Sequence, residues 1–342
     1  MAEKQRDFHS TGAHPGLPDE FQYQTAPYQN ELLVHCYRFF GSLDDAEDAL
    51  QETLIRAWRH WDSLKSPGAL RAWLYKIATN ACLDMLDTRK ARSMPGLVSP
   101  SANPRDPLPA PPFGRDPIWL NPLPEELLDR QTINPEARYE IRESVSLAFL
   151  AVLQKLPGRQ RVVLILRDVL GWKTAEAAEL LNLSVPAVNS ALQRARATLK
   201  ANRLERGFSA RAQADNPQTA ALLDRYVRAW EAADSAHLVS LLREDVVLSM
   251  PPLPAWYQGR TAVKQFLDIH LFGGQAQGRF RLVATRANGS PAFAAYQRDE
   301  QGVYRMGGLQ VIRLEHGQIA QIDDFLALDE RLFARFNLPL SL

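Results

Sequence analysis

Apolar residues recur at helical spacing from about Pro27 to Arg92, lose that rhythm through a proline-dense stretch, and regain it from Glu136 to Leu204. Within Asp44–Trp61 the inward positions are Ala46, Ala49, Leu50, Thr53, Leu54, Ala57, Trp58 and Trp61. Asp45, Asp48 and Glu52 fall at i, i+3 and i+7 on the other side, which gathers three carboxylates into one stripe. Such a stripe suits solvent or a basic partner. Ala69–Arg92 forms one long pattern with Leu70, Trp73, Leu74, Ile77, Ala78, Ala81, Met85 and Leu86 inward. Its outer side carries Arg71, Tyr75, Lys76, Asn80, Arg89, Lys90 and Arg92, a mixture of aromatic, amide and cationic groups that can stack on bases and neutralise phosphates.

The second helical block holds the most specific pattern. Ser144–Leu156 reads as an amphipathic helix closed by Leu156-Pro157, and Arg159–Val169 as another. Lys173–Lys200 then reads as two short helices around a tight turn, the layout of a helix-turn-helix DNA reader. Thr174 is placed to cap the first, Glu176 lies in its dipole-favoured first turn, and Asn182 occupies the turn, where a left-handed residue is needed. Ser184 caps the second helix and Pro186 sits in its first turn. There Val185, Val188, Leu192, Ala195 and Leu199 make the expected buried seam. Asn189, Gln193, Arg196 and Lys200 make the opposite stripe, with Ser190 and Arg194 beside it. Arginine and glutamine are suited to major-groove base edges, and serine to phosphate.

A different rhythm follows. Pro217–Arg243 is helical in pattern, Val246–Met250 a strand, and Arg260–His270 helical again. Four strand-like runs come next, Arg279–Ala287, Ala292–Arg298, Tyr304–Leu314 and Gln318–Phe325, with Asn288-Gly289 and His316-Gly317 as hairpin signals. Helices before a curled antiparallel sheet predict an α+β cone. Tyr226, Trp230, Met250, Trp256 and Phe266 are the expected core or pocket lining. Asp323 and Asp324 are expected at the surface or rim, and His270 in a structural role.

The 342 residues therefore divide into a disordered leader (1–25), a helical domain (26–92), a linker (93–135), a second helical domain (136–206) and the last domain (217–342). Eleven of the 23 prolines lie in Ser93–Pro135, which predicts neither regular helix nor central strand there. Inside it, the patch Ile118-Trp119-Leu120 is too apolar for an idle spacer, so Trp119 and Leu120 are expected to make a contact. Net charge is only +1, yet Lys155–Arg206 carries ten Lys or Arg against four Asp or Glu, the footprint of phosphate contact. Two cysteines, Cys36 and Cys82, cannot build a disulfide framework or a Cys-rich zinc site, and no cofactor or metal is expected. With no apolar run of spanning length and no signal peptide, a cytoplasmic protein without membrane contact is expected, monomeric when free.

DDAEDALQETLIRAWRHWD followed by LRAWLYKIATNACLDMLDTRKAR resembles the second conserved region of bacterial sigma factors of the extracytoplasmic-function (ECF) type. LPGRQRVVLILRDVLGWKTAEAAELLNLSVPAVNSALQRAR resembles their fourth region. The last domain, from TAALLDRYVRAWEAADSAHLVSLLREDVVLSMPP through GRTAVKQFL, resembles SnoaL-like domains of the nuclear-transport-factor superfamily. The resemblance implies a multidomain chain of two all-α sigma domains and an α+β domain, serving promoter-specific initiation by RNA polymerase. It implies that Asp45, Asp48, Gln51 and Glu52 meet the polymerase β′ clamp helices, and that the second domain reaches the β flap. The loop Ser63–Gly68 and the helix with Tyr75, Lys76, Asn80, Arg89 and Lys90 would open the −10 element, where a flipped base is cheapest to trap. Ser184, Asn189, Ser190, Gln193, Arg194, Arg196 and Lys200 would read the −35 element. Ala191 and Asn189 stand where many relatives are basic, so the preferred −35 sequence does not transfer. The relatives' isomerase carboxylate falls at Met250, which favours ligand binding or autoregulation over catalysis. Two other readings remain open: a ligand-sensing helix-turn-helix repressor, and a SnoaL-type isomerase or hydrolase fused to a DNA-binding module.

Overall fold

Three helices make the first module: α1 (Asp19–Phe40), α2 (Leu43–Arg59) and α3 (Leu70–Leu86). Here and below, the computed structural model describes residues 19–111, 118–129, 142–202, 217–274, 276–327 and 333–342. The start of the expected leader, the first turn of the second helical block and the polar break before the last domain lie outside them. Helix α1 begins at Asp19, inside the stretch expected to be disordered. The reason is Phe21, 1% exposed, whose ring meets Trp58 and Trp61 edge-on at 5.6 and 5.0 Å. Pro27 falls inside this helix rather than at its start. The Ser42 hydroxyl accepts the Asp45 N–H at 3.3 Å and opens α2. Gly41 precedes it at φ +62°, where a Cβ would collide with Leu120.

The linker is more ordered than its prolines predict. Arg92–Ser93 (β1) pairs in parallel with Ile118–Trp119 (β2). Pro95–Val98 (α4) and Glu126–Asp129 (α5) are single helical turns. Pro95 is the first residue of α4, where a missing N–H costs nothing.

The second module comprises α6 (Leu147–Leu153), α7 (Gly158–Leu164, continued as a π turn through Val169), α8 (Thr174–Leu181) and α9 (Val185–Ala201). Asn182 adopts the left-handed conformation expected of the turn, at φ 51°, and Ser184 caps α9 through the Ala187 N–H. Two details differ from expectation. Thr174 is the first helical residue and Lys173 the cap position, with the Glu176 carboxylate accepting the Lys173 N–H at 2.7 Å. Val185 is 43% exposed, and Ala191 takes its place in the seam with Val188, Leu192, Ala195 and Leu199.

In the last domain, α10 (Pro217–Glu231), α11 (Ser235–Ser240) and α12 (Arg260–Phe266) pack on a sheet of β3 (Leu242–Ser249), β4 (Trp256–Gln258), β5 (Phe280–Ala287), β6 (Ser290–Arg298), β7 (Tyr304–Glu315) and β8 (Gln318–Leu326). The expected single helix Pro217–Arg243 breaks at Ala233, φ 52°, and restarts under an Asp234 cap. Spatial order is β4-β3-β8-β7-β6-β5, and the β3–β8 pair is parallel, so the sheet is mixed rather than antiparallel throughout. Strand alternation sends Ile312, Ile322, Phe293 and Ala295 to the inner face, under the helices. Leu309, Val311, Ala292 and Phe325 point the other way. They share one apolar cluster with the helical modules, with Leu120, Leu123 and Leu128 of the linker, and with Phe333 and Phe336 near the C-terminus. The sheet is thus buried on both faces.

The hairpin turn Asn288-Gly289 joins the parts. Asn288 is 1% exposed, and its amide donates to Tyr37 Oη at 2.9 Å and to the Val145 carbonyl at 2.7 Å. Its Oδ1 accepts the Leu123 N–H at 2.8 Å, and its own N–H reaches the Leu123 carbonyl at 2.9 Å. One side chain therefore ties the first module, the linker and the second module to the sheet.

Candidate polymerase and promoter interface

Packing dictates which face of α2 remains available. Ala46, Ala49, Leu50, Thr53, Leu54 and Ala57 are buried, which leaves Asp44, Glu47, Asp48 and Gln51 outward. Asp45, expected on the open carboxylate stripe, is only 7% exposed. It lies where the C-terminal end of α3 returns over α2, and it bridges Arg89 at 2.9 Å and Arg92 at 2.8 Å. Arg92 also donates to the Trp119 carbonyl at 3.0 Å, so the linker patch closes over the same cluster. Arg89 pairs with Asp48 at 2.9 Å. Glu52 pairs with Arg56 at 2.7 Å, and Arg56 with Asp84 at 2.6 Å. From the far end of the chain, Arg335 reaches Asp44 at 2.7 Å and Glu47 at 2.8 Å. Partial burial raises the Glu47 carboxyl pKa, and Arg335 opposes that rise. Exposed pairs of this kind contribute about 0–1 kcal/mol each. They are weak enough to exchange for an outside partner.

On α3, Lys76 and Asn80 stand exposed, as does Lys90 beyond its end. Tyr75 does not: it is 2% exposed, packed edge-on against His35 at 5.0 Å and tilted against Trp172 of the second module at 6.1 Å. Helical spacing places Tyr75 within one residue of Lys76, but its ring fills the gap between modules. Burial lowers the neighbouring His35 to about 3, with Arg38 adding to the shift.

The two helical modules meet at the end of α1. Gln154 Nε2 donates to the Phe39 carbonyl at 3.0 Å, and the buried Arg161 donates to the same carbonyl and to those of Gln154 and Leu156. Arg38, also buried, donates to Ser144 Oγ at 2.9 and 3.1 Å. Burial lowers both guanidinium groups to about 10. A cation held by neutral acceptors gains less than one held by a carboxylate. On α9, Ser184, Asn189, Ser190, Gln193, Arg194, Arg196 and Lys200 are all exposed on one flank. Arg196 is held by Asp168 through a two-pronged pair at 2.7 and 2.9 Å.

Inside the last domain, the Tyr226 hydroxyl donates to Gln310 Oε1 at 2.8 Å, and Gln310 Nε2 to Asp324 at 3.3 Å. Burial pushes the Asp324 carboxyl up to about 6, against the pull of the Gln310 amide. Asp323, on the opposite face, accepts from Ser249 at 2.6 Å and is raised by burial. Asp323 is buried, away from the surface or rim expected of it, whereas Asp324 is half-buried. Trp230, Met250 and Phe266 are buried in the inner core, where Trp230 stands edge-on to Phe272 at 5.2 Å. Trp256 lies elsewhere: it is on the edge strand β4, and its indole N–H donates to the Ser99 carbonyl of the linker at 2.8 Å. Among the described residues, no His/Cys/Asp/Glu cluster is arranged to hold a metal, and no helix is long and apolar enough to cross a membrane.

Family models for Sigma-70 region 2, Sigma-70 region 4 and a SnoaL-like domain match residues 26–92, 146–199 and 223–322. The ECF RNA polymerase sigma factor SigG of Mycobacterium tuberculosis (strain CDC 1551 / Oshkosh) is 43% identical over 324 residues, 94% of this chain and 85% of that protein. The chain belongs to the ECF sigma factor family. The ECF sigma factor SigW of Bacillus subtilis (strain 168) is 27% identical over 193 residues, 54% of this chain and 89% of that protein. The crystal structure of the extracytoplasmic function sigma factor SigJ of Mycobacterium tuberculosis has the same fold, with a TM-score of 0.57 at 23% identity, covering 94% of this chain and 99% of that one. As a sigma factor, the protein directs transcription initiation by RNA polymerase.

Two features of this sigma factor escape sequence reading. Nothing in the Asn288-Gly289 turn signal distinguishes a docking hairpin from a free one. Arg335 lies 291 residues from Asp44, so only the tertiary fold brings them together. The inward facing of half-buried Asp324 did leave a signal: period-two alternation places it on the face of Ile322, which is core.

Proposed function

We propose that this sigma factor rests in a closed form, in which the groups that would grip polymerase and promoter are engaged by the chain itself. The observation that carries this reading is the ion-pair set on α2. Asp45 and Asp48 are held by Arg89, Asp44 and Glu47 by Arg335, and on α9 Arg196 is held by Asp168. In the open form, Asp45, Asp48, Gln51 and Glu52 meet the β′ clamp helices, and the second module meets the β flap. Lys76, Asn80, Arg89 and Lys90 then face the −10 element, and the exposed flank of α9 faces the −35 element. Tyr75 joins the −10 surface only once the two helical modules part. The fused domain sets the balance between the two forms, and the protein works in the cytoplasm as a monomer when free.

Two substitutions separate these roles. Asp48→Lys with Glu52→Lys reduces affinity for core polymerase by about tenfold or more while leaving binding of −35 duplex DNA unchanged, because charge reversal turns attraction into repulsion. Arg196→Ala does the reverse, at the 1–3 kcal/mol typical of a base-reading arginine, about 5- to 150-fold in −35 binding. Fluorescence anisotropy with labelled core enzyme and labelled duplex measures both. Equal losses in the two assays for either variant would refute the division of labour.

The Tyr226–Gln310–Asp324 relay supports a regulatory rather than catalytic interior for the fused domain. Its three groups bond to one another inside an apolar core, and the isomerase carboxylate position holds Met250.

A further inference from the structure

The edge strand β4 is occupied by a foreign segment of the same chain. Ser99–Pro104 runs along it, more than 150 residues away in sequence. The Trp256 indole N–H donates to the Ser99 carbonyl at 2.8 Å, and the Ser99 hydroxyl donates to the Pro254 carbonyl at 3.0 Å. The Ala102 N–H donates to the Trp256 carbonyl at 2.8 Å, in the manner of an added strand. His270 Nε2 donates to the Pro104 carbonyl at 2.9 Å, and Pro104 itself is buried. Beneath this contact, Phe266 stacks on Tyr257 at 4.6 Å and lies 5.3 Å from the His270 ring.

Four properties mark this as recognition of a short linear segment. The contacts go mainly to the linker backbone, so they read an extended conformation rather than a set of side chains. The Trp256 donor meets the carbonyl that precedes Pro100, a tertiary amide and a strong acceptor. Prolines at 100 and 104 pre-set φ, which lowers the entropy of docking. Docking is also centred on these residues: Leu97 and Val98 before them, and residues 105–110 after them, are exposed, and upstream only Gly96 also lies against the Trp256 ring.

We propose that the Trp256–His270 edge is a peptide-recognition groove for extended, proline-containing segments. Residues 99–104 fill it in cis, and a segment of the same chemistry from a partner protein competes for it. The sigma factor thereby has an input separate from promoter and polymerase contacts. The cis segment acts as a tethered competitor, at an effective concentration of order millimolar for a short flexible tether.

A fluorescein-labelled peptide of residues 97–107 tests this by anisotropy on the full-length chain. A variant with residues 99–104 replaced by a Gly/Ser run of the same length should bind it at least about tenfold more tightly than the unmodified chain, whose own segment competes. Trp256→Phe in that background keeps an aromatic ring and loses the donor, and should weaken binding about fivefold, the ratio matching one hydrogen bond of ordinary net strength. A peptide with Pro100→Ala and Pro104→Ala makes a comparison with the protein untouched, and should also bind more weakly. Absence of saturable binding to the Gly/Ser variant overturns the proposal, as does equal affinity for the alanine peptide. Light scattering covers the remaining occupant: a dimer of the unmodified chain that the Gly/Ser replacement dissolves would assign the groove to a second copy instead.

Discussion

Asn288→Ala is expected to release the fused domain from the helical pair, at a cost of about 3–5 kcal/mol to the closed arrangement. Truncation strands two buried partners, the Leu123 N–H and the Val145 carbonyl, and takes one bond from the Tyr37 hydroxyl, which still donates to the Asn121 carbonyl. Each unsatisfied buried group costs about 1–3 kcal/mol, and neighbouring losses are coupled rather than additive. Alanine must also hold the left-handed backbone, φ 53° here, which adds about 1 kcal/mol. Asn288→Gly removes the second cost and keeps the first, so the two variants partition the effect. Small-angle scattering should show a larger radius of gyration for both, and limited proteolysis should cut the linker faster. An alanine variant as compact and protease-resistant as the parent would show that the hairpin is not the fastening.

Asp324→Asn is expected to stabilise the fused domain above pH 6 and to leave it nearly unchanged below pH 4. The folded-state pKa is raised, from 3.8 to about 6. Between these values the folded chain keeps a proton that the unfolded chain has released. Stability from the neutral acid is therefore full below 3.8 and lost as pH rises through 6. The rise from 3.8 to about 6 corresponds to at most about 3 kcal/mol above pH 6, and to less for a half-buried side chain that water partly screens. Asparagine has the same shape, can still bond to Gln310 and never ionises, so it removes the pH-dependent loss. Urea denaturation followed by tryptophan fluorescence at pH 4 and pH 8 measures the difference. An equal effect of the substitution at both pH values would place the ionised carboxylate in water, outside the relay.

The helical modules were legible because their packing is local in sequence. The Ala46–Leu50–Leu54 stripe, the Asn182 turn and the Ser184 cap each depend on neighbours within a few residues, and each lies where its spacing puts it. Side chains between modules were not legible. Tyr75 shares a helix flank with exposed Lys76, and only contact with His35 and Trp172 decides its burial. Asp45 reads as solvated until Arg89 and Arg92 fold back over it. The linker misled for a similar reason: prolines exclude long helices, yet they suit extended segments lying on a strand edge, which is where Ser99–Pro104 is found. The mixed sheet depends on a parallel pairing of β3 with β8, a contact between distant segments that alternation cannot reveal.

The outward strand residues Leu309, Val311 and Phe325 belong to the same greasy seam as the sigma helices. Parting that seam hydrates hydrocarbon and therefore carries a positive heat-capacity change. Attraction of this origin fades on chilling and grows when osmolytes are excluded from the surface. Cooling and excluded osmolytes therefore act on this seam in opposite directions: the first loosens it, the second tightens it.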